Sequence, residues 1–345
     1  MSNATRSQTM ISRNKTIKML LSGIVGAAFS ISAFNVQAEK IRVAGNFATE
    51  HSSSKAMQVF KDEVQKLTNG DLEVDIFPAQ QLGGAAENVQ AVRIGAVELI
   101  WVGTAYLTRT IPELEVIGLP FQFPNRESAF KVVDGPVGDK LDGYLEKENL
   151  VSLGYMELGF RQLTNNERAI NSVADMKGLK IRLQPNETHL ATFRALGANP
   201  VAMDVKELYS ALEQGVIDGQ ENPFAIIHVA RYPEVQKHVS NTGHFFDFIS
   251  VVANTKRLAA LSPEHQKAVK DAMATAVAYQ RDLAAKQDAA ALGKLKAEGM
   301  VYTPVSPKFA AELRSKTADV ADSVKERVGS ELFSLVEAET AAAAK

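Results

Sequence analysis

Beyond residue 38 the apolar and polar positions repeat one order of elements twice. Ile41-Arg-Val-Ala-Gly45 reads as a strand. Ser54 to Leu67 reads as a helix with Met57, Phe60, Val64 and Leu67 on one face, stopped at Asn69-Gly70. Leu72 to Phe77 alternates as a second strand, Ala85 to Ile94 follows as a helix, and Val97 to Val102 as a third strand. The order returns as strand Leu179 to Leu183, helix Glu187 to Leu196, strand Pro200 to Met203, helix Lys206 to Gln214 and strand Ile217 to Gln220. Even the approach to the third strand recurs, as Gly95-Ala-Val-Glu98 and Gly215-Val-Ile-Asp218. Such an order predicts parallel sheets covered by helices. Two α/β units imply a cleft, with ligands at the carboxyl ends of strands.

Other segments join or extend the units. Val151 to Phe160 is nearly uncharged and ends on Arg161, as a buried strand delivering a cation at its tip would. Ile111 to Phe121 is a Pro-bounded apolar crossover, a helix is expected around Glu127 to Val133, and Phe245 to Val252 is strand-like. Ser262-Pro263-Glu264 supplies an N-cap and a proline at the first helical position, and no breaker except Gly293 follows before Gly299. A helix of ~35 residues would be ~50 Å long, enough to span both units. Pro307 opens one last amphipathic helix toward Glu339, and the closing alanine tract reads as a frayed tail.

The chain's 345 residues suit two lobes, and 46% hydrophobic with 23% charged residues suits a soluble globular protein. Residues 11–38 depart from that composition. Arg13, Lys15 and Lys18 precede an apolar run from Met19 to Phe34, and Val36-Gln-Ala38 supplies small residues for cleavage, the pattern of a secretory signal peptide. Residues 1–9 are a tag or an extended start before Met10. Removing residues 1–38 takes away Arg6, Arg13, Lys15 and Lys18 and no acid, leaving 34 basic against 40 acidic residues, a net charge of −6. Nucleic acid is thereby disfavoured as a partner. Without cysteine there is no lipoprotein anchor, disulfide or thiol nucleophile, so a periplasmic protein is expected.

No catalytic machinery is visible. The six histidines are scattered without metal-ligand spacing, and no nucleophile elbow or phosphate-cradling loop occurs. Gly83-Gly84 before a helix is a weak anion signal, and Glu113 with Glu115 has nothing to fix a glycosidase separation. Two arginines draw more attention. Arg161 ends its strand, and Arg182 lies with Lys180 on the face opposite Leu179, Ile181 and Leu183. Both read equally as structural salt-bridge residues or as guanidinium forks for a carboxylate.

Several motifs decide the context. They are Phe77-Pro78 with Gln81-Leu-Gly83, Leu119-Pro-Phe121, Gly159-Phe-Arg-Gln162, Lys177-Gly-Leu-Lys-Ile-Arg182, Gly197-Ala-Asn-Pro200, Glu207 to Leu212, Asp218-Gly-Gln-Glu-Asn-Pro223 and Glu234-Val-Gln236. In this order they resemble the periplasmic solute-binding proteins of TRAP transporters, the DctP-like family. The resemblance implies an α/β, two-lobed periplasmic-binding-protein (Venus-flytrap) fold with a long inter-lobe helix. It implies a monomer and no cofactor. One lobe would comprise 39–160 plus about 250–287, and the other 161–249 plus about 288–340. The protein would not be an enzyme, and would hand an organic acid to the small and large integral-membrane subunits of a permease. By the same resemblance Arg182 grips the carboxylate, Arg161 is a second arginine, Asn222 is a cleft asparagine and Asn46 faces the ligand from the first lobe. Glu157 stands near Arg161 in sequence and is expected to share its charge. Asn46, His51, Glu87 and Trp101 suggest a hydroxylated ligand, an acidic monosaccharide such as a uronate. The alternatives are a C4-dicarboxylate or another 2-oxo or hydroxy acid, and, from another class, a periplasmic enzyme acting on such an acid.

Overall fold

The computed structural model describes residues 39–345, so the signal peptide read from residues 1–38 lies outside the described residues. The chain opens with β1 (Glu39–Gly45), α1 (Ser52–Leu67), β2 (Leu72–Phe77), α2 (Ala85–Arg93) and β3 (Leu99–Gly103). Two 3-10 turns, Thr104–Tyr106 and Pro112–Ile117, lead to α3 (Arg126–Val133), α4 (Pro136–Lys147) and β4 (Leu150–Phe160). Next come β5 (Gln162–Asn165), β6 (Lys180–Leu183), α5 (Glu187–Ala195), β7 (Asn199–Ala202), α6 (Val205–Glu213) and β8 (Gly219–Asn222). Then follow α7 (Phe224–Val229), β9 (His238–Ser240), β10 (Phe246–Asn254), α8 (Thr255–Ala259) and α9 (Pro263–Ala297). The chain closes with β11 (Val301–Thr303), α10 (Pro307–Lys316), α11 (Val320–Val328) and α12 (Ser330–Ala343).

The strands form two sheets, ordered β2-β1-β3-β10-β4 and β11-β9-β5-β8-β6-β7. In each, the repeated unit supplies parallel pairs, β1 with β2 and β3, and β6 with β7 and β8. The repeated approach to the third strand has one job in both sheets. Glu98 accepts the backbone N–H of Arg42 at 2.9 Å, and Asp218 that of Lys180 at 2.7 Å, so each acid holds a residue of the neighbouring strand. Gly95 and Gly215 precede them with φ of 74° and 67°, a conformation that favours glycine.

The chain passes between the sheets three times, from β4 to β5, from β9 to β10, and from β10 through α9 to β11. Arg161 is the single residue separating β4 from β5, and its N–H donates to the carbonyl of Phe245, on the return path into β10. The helix α9 runs along the junction, packing on α1, β4 and α7. Its buried stripe of Ala268, Ala272, Ala276, Ala284 and Ala291 permits close approach. Gln280 interrupts that stripe. Its amide receives the N–H of Glu157 and donates to the carbonyl of Glu157 and the hydroxyl of Ser52, replacing water for a buried polar side chain.

Two expectations about the C-terminus are corrected. The single helix from Pro307 is three: the first ends at Thr317, whose hydroxyl bonds back to the Leu313 carbonyl, and Gly329 at φ 87° separates the other two. The alanine tract continues α12 through Ala343, in keeping with alanine's helix propensity. Leu332, Phe333 and Val336 of α12 share a core with Val137 and Leu141 of α4, whereas the expected division gave 288–340 to the second lobe. Phe309 and Leu313 of α10 instead join the core of the second sheet.

Candidate functional site

The site grows from the residues at the junction of the two sheets. Arg161 is fully buried, at 0% exposure. Its Nε and Nη2 form a fork on the Glu221 carboxylate, and Nη2 also donates to the Glu221 carbonyl at 2.7 Å and to Asn222 Oδ1 at 3.1 Å. Nη1 faces Asp247 Oδ2 at 3.3 Å. Burial pushes the Glu221 carboxyl up, but Arg161 and His244 outweigh it and hold the group down at about 2. Asp247 has the opposite balance, with burial winning over Arg161 and raising it to about 6.

The expectation that Arg161 shares its charge with Glu157 is corrected. Glu157 instead meets Arg126, the first residue of α3, at 3.2 Å, while the register shift between β4 and β10 sets Asp247 opposite Gly159, near Arg161. Burial raises the Glu157 carboxyl to about 7 against the pull of Arg126, and its Oε2 has no partner among the described residues. The folded state therefore holds this proton more tightly than the unfolded chain. Its contribution is favourable below the unfolded value of 4.5 and is lost as pH rises toward 7. Glu157→Gln, which mimics the protonated form, is expected to stabilise the protein by about 2–3 kcal/mol at pH 8 and by little at pH 4.5. Urea denaturation at the two pH values checks this. An equal effect at both would show that ionisation of Glu157 carries no cost.

Arg182 is 1% exposed on β6 but has no carboxylate partner among the described residues. Its Nε donates to the Met203 carbonyl at 2.9 Å and its Nη2 to the Tyr106 hydroxyl at 2.8 Å, leaving Nη1 without a partner among the described residues. Tyr106 comes from the first lobe and also accepts the Val205 N–H at 3.0 Å, so it ties the two lobes beside this arginine. Asp204 adds a second tie. It caps its own helix α6 and accepts the N–H of Ala86, at the start of α2, at 3.0 Å.

The other residues named from sequence are placed as follows. Asn222 ends β8, held by Arg161 and donating to Gln220 at 2.5 Å. Asn46 follows β1, with both side-chain polar atoms buried and without a partner among the described residues. His51 caps α1 and stacks on Phe47 at 4.8 Å; burial lowers it to about 4, so it is neutral. Trp101 is wholly buried, edge-on to Phe60, with its Nε1 unpartnered among the described residues. Glu87 accepts the N–H of Gly84 at the start of α2 at 2.7 Å, and its largely exposed carboxylate lies 3.6 Å from Lys206.

Asn46 and His51 line a cavity of about 260 Å³ whose opposite wall, Val205, Lys206, Ile226 and Tyr232, comes from the second lobe. Val205 connects this cavity to Arg182, since its N–H donates to the Tyr106 hydroxyl that Arg182 also holds. Burial raises the hydroxyl of Tyr232, in the same wall, to about 12, while Arg182 and Arg161 pull it down. Larger grooves of about 480 and 460 Å³ lie elsewhere and contain none of the site residues named from sequence, whereas the smaller inter-lobe cavity holds Asn46 and His51, although neither arginine lines it. Structure thus brings Arg161, Arg182, Asn222, Asn46 and His51 toward one junction, with Glu87 at its margin and Trp101 behind it. Sequence reasoning did not single out Tyr106, Gln184, Tyr232, His244 or Asp247. Glu221 lay unremarked inside the quoted Gln-Glu-Asn run.

Two lobes meeting beside buried cations suit the capture of an anionic solute. The bacterial extracellular solute-binding protein family 7 model, DctP, matches residues 43–327, and the chain belongs to this family of TRAP periplasmic solute-binding proteins. It is similar to the 2,3-diketo-L-gulonate-binding periplasmic protein YiaO of Escherichia coli, with 34% identity over 89% of this chain and 93% of that one. It is also similar to the sugar acid binding protein DctPAm from Advenella mimigardefordensis in complex with galactonate (TM-score 0.86, 32% identity, covering 88% of this chain and 98% of that one). A TRAP periplasmic solute-binding protein from Sulfurospirillum deleyianum with bound succinate has a TM-score of 0.84 and 29% identity, covering 87% and 99%.

Proposed function

We propose that the chain captures an acidic monosaccharide such as a uronate between its lobes, as a periplasmic monomer. It then delivers that ligand to the small and large membrane subunits of a TRAP permease. The supporting observation is Arg182, buried at the lobe junction with neither a carboxylate partner nor a partner for its Nη1 among the described residues. Arg182 grips the carboxylate through Nη1 and the second N–H of Nη2, the first being held by Tyr106. Asn46, with two polar atoms unpartnered among the described residues, reads hydroxyls from the other lobe, and Asn222 and Arg161 complete the second-lobe wall. Binding closes the lobes through the Tyr106 and Asp204 ties, about a hinge of the two strand-to-strand crossings and α9.

A thermal-shift panel of D-glucuronate, D-galacturonate, D-galactonate, succinate and malate tests this reading. A ligand that binds the folded state alone at 100 times its Kd stabilises it by about 2.7 kcal/mol. A sugar acid is expected to give the largest rise in melting temperature. A panel in which succinate or malate gave the largest rise, or in which no acid gave any, would refute it.

A further inference from the structure

Asp247 is a carboxylate placed beside Arg161 at the junction of the two sheets. It lies on β10, in the first sheet, and is 4% exposed. Its Oδ1 accepts the Phe248 N–H at 2.8 Å, whereas its Oδ2 has two long contacts, 3.3 Å from Arg161 Nη1 and 3.3 Å from Gln184 Nε2. Arg161 does not need it, because the Nε and Nη2 fork is already closed by Glu221. The two arginines are thus balanced by two carboxylates before any ligand arrives, and the ligand's first carboxylate brings the cluster to a net charge of −1. A second carboxylate would add a like charge in a buried, weakly screened site.

The unfilled hydrogen-bonding capacity points the same way. Gln184 Oε1 is buried with no partner among the described residues, and a methyl group at Gly103 of the facing lobe would lie 3.5 Å from it. Gln184 Oε1 and Asp247 Oδ2 are both acceptors. A hydroxyl can donate to them, and an ionised carboxylate cannot. We propose that Asp247 is a specificity-determining residue of the cleft: with Gln184 it accepts hydroxyl donors from the ligand and repels a second carboxylate, restricting binding to hydroxylated monocarboxylic acids. This inference rests on the sugar-acid reading above and deepens it.

Calorimetric titration of the purified protein with D-galactonate, D-glucuronate and succinate tests it, in the wild type and in Asp247→Asn. The wild type is expected to favour the tighter sugar acid over succinate on the order of 100-fold, because succinate leaves the buried acceptors unpaired. Asp247→Asn, which removes the charge and keeps the shape, is expected to shrink that ratio about tenfold or more, a shift of about 1.4 kcal/mol. Asp247→Ser serves if the first variant shows no cooperative melt. An unchanged ratio in a folded variant overturns the role of Asp247 while leaving the sugar-acid reading standing. A wild type that binds none of the three acids, or prefers succinate, overturns both.

Discussion

Arg161→Ala is expected to lower the stability of the protein by about 3–5 kcal/mol, because removing one partner of a buried ion pair leaves the other charge uncompensated. The partner here is Glu221, at 0% exposure, with Asp247 close behind. Neither has solvent to turn to. The loss is a large share of a typical folding free energy of about 5–15 kcal/mol. A denaturant midpoint that falls with an unchanged slope would establish it. Adding Glu221→Gln to a background of Arg161→Met is expected to recover part of the loss, since the pair is then neutral on both sides. A decrease below about 1 kcal/mol for Arg161→Ala would place the residue with ordinary surface pairs and contradict its assigned geometry.

This result bears on how the site was legible. The order of strands and helices follows from local periodicity, and α9 from a capping serine and a proline that are adjacent in sequence. The partner of Arg161 obeys no such local rule. Glu157, four positions away, is the nearest acid along the strand, yet Glu221 and Asp247 lie 60 and 86 residues away and meet it through sheet pairing. Tyr106 was equally hidden: it follows β3 in a short 3-10 turn with no polar pattern of its own, and its role comes from contact with Arg182 across the lobes. Arg182 was legible in part. Strand alternation set it opposite Leu179, Ile181 and Leu183, but the same alternation is satisfied by an exposed cation, and its near-complete burial comes from the facing lobe.

The two arginines are therefore expected to fail in different ways when changed. Arg182 holds the Met203 carbonyl and the Tyr106 hydroxyl, both neutral, so Arg182→Ala strands no carboxylate and costs about 1–3 kcal/mol of stability, the scale of unpaired neutral groups. Binding is where the damage falls. Truncating one member of a desolvated charge pair with the ligand costs about 2–5 kcal/mol, or on the order of 30- to several-thousand-fold in affinity. Calorimetry with the acid that gives the largest thermal shift is expected to show that loss in a protein that still unfolds cooperatively. Arg182→Lys is the sharper variant. It keeps the positive charge but replaces a planar fork with a compact ammonium, which cannot hold the Tyr106 hydroxyl and two carboxylate oxygens in one plane. Affinity is expected to fall nearly as far as for alanine. If Arg182→Lys bound as tightly as the wild type, the carboxylate would be held by another group of the cleft, and Arg182 would serve only the lobe contact that its Nη2 makes with Tyr106.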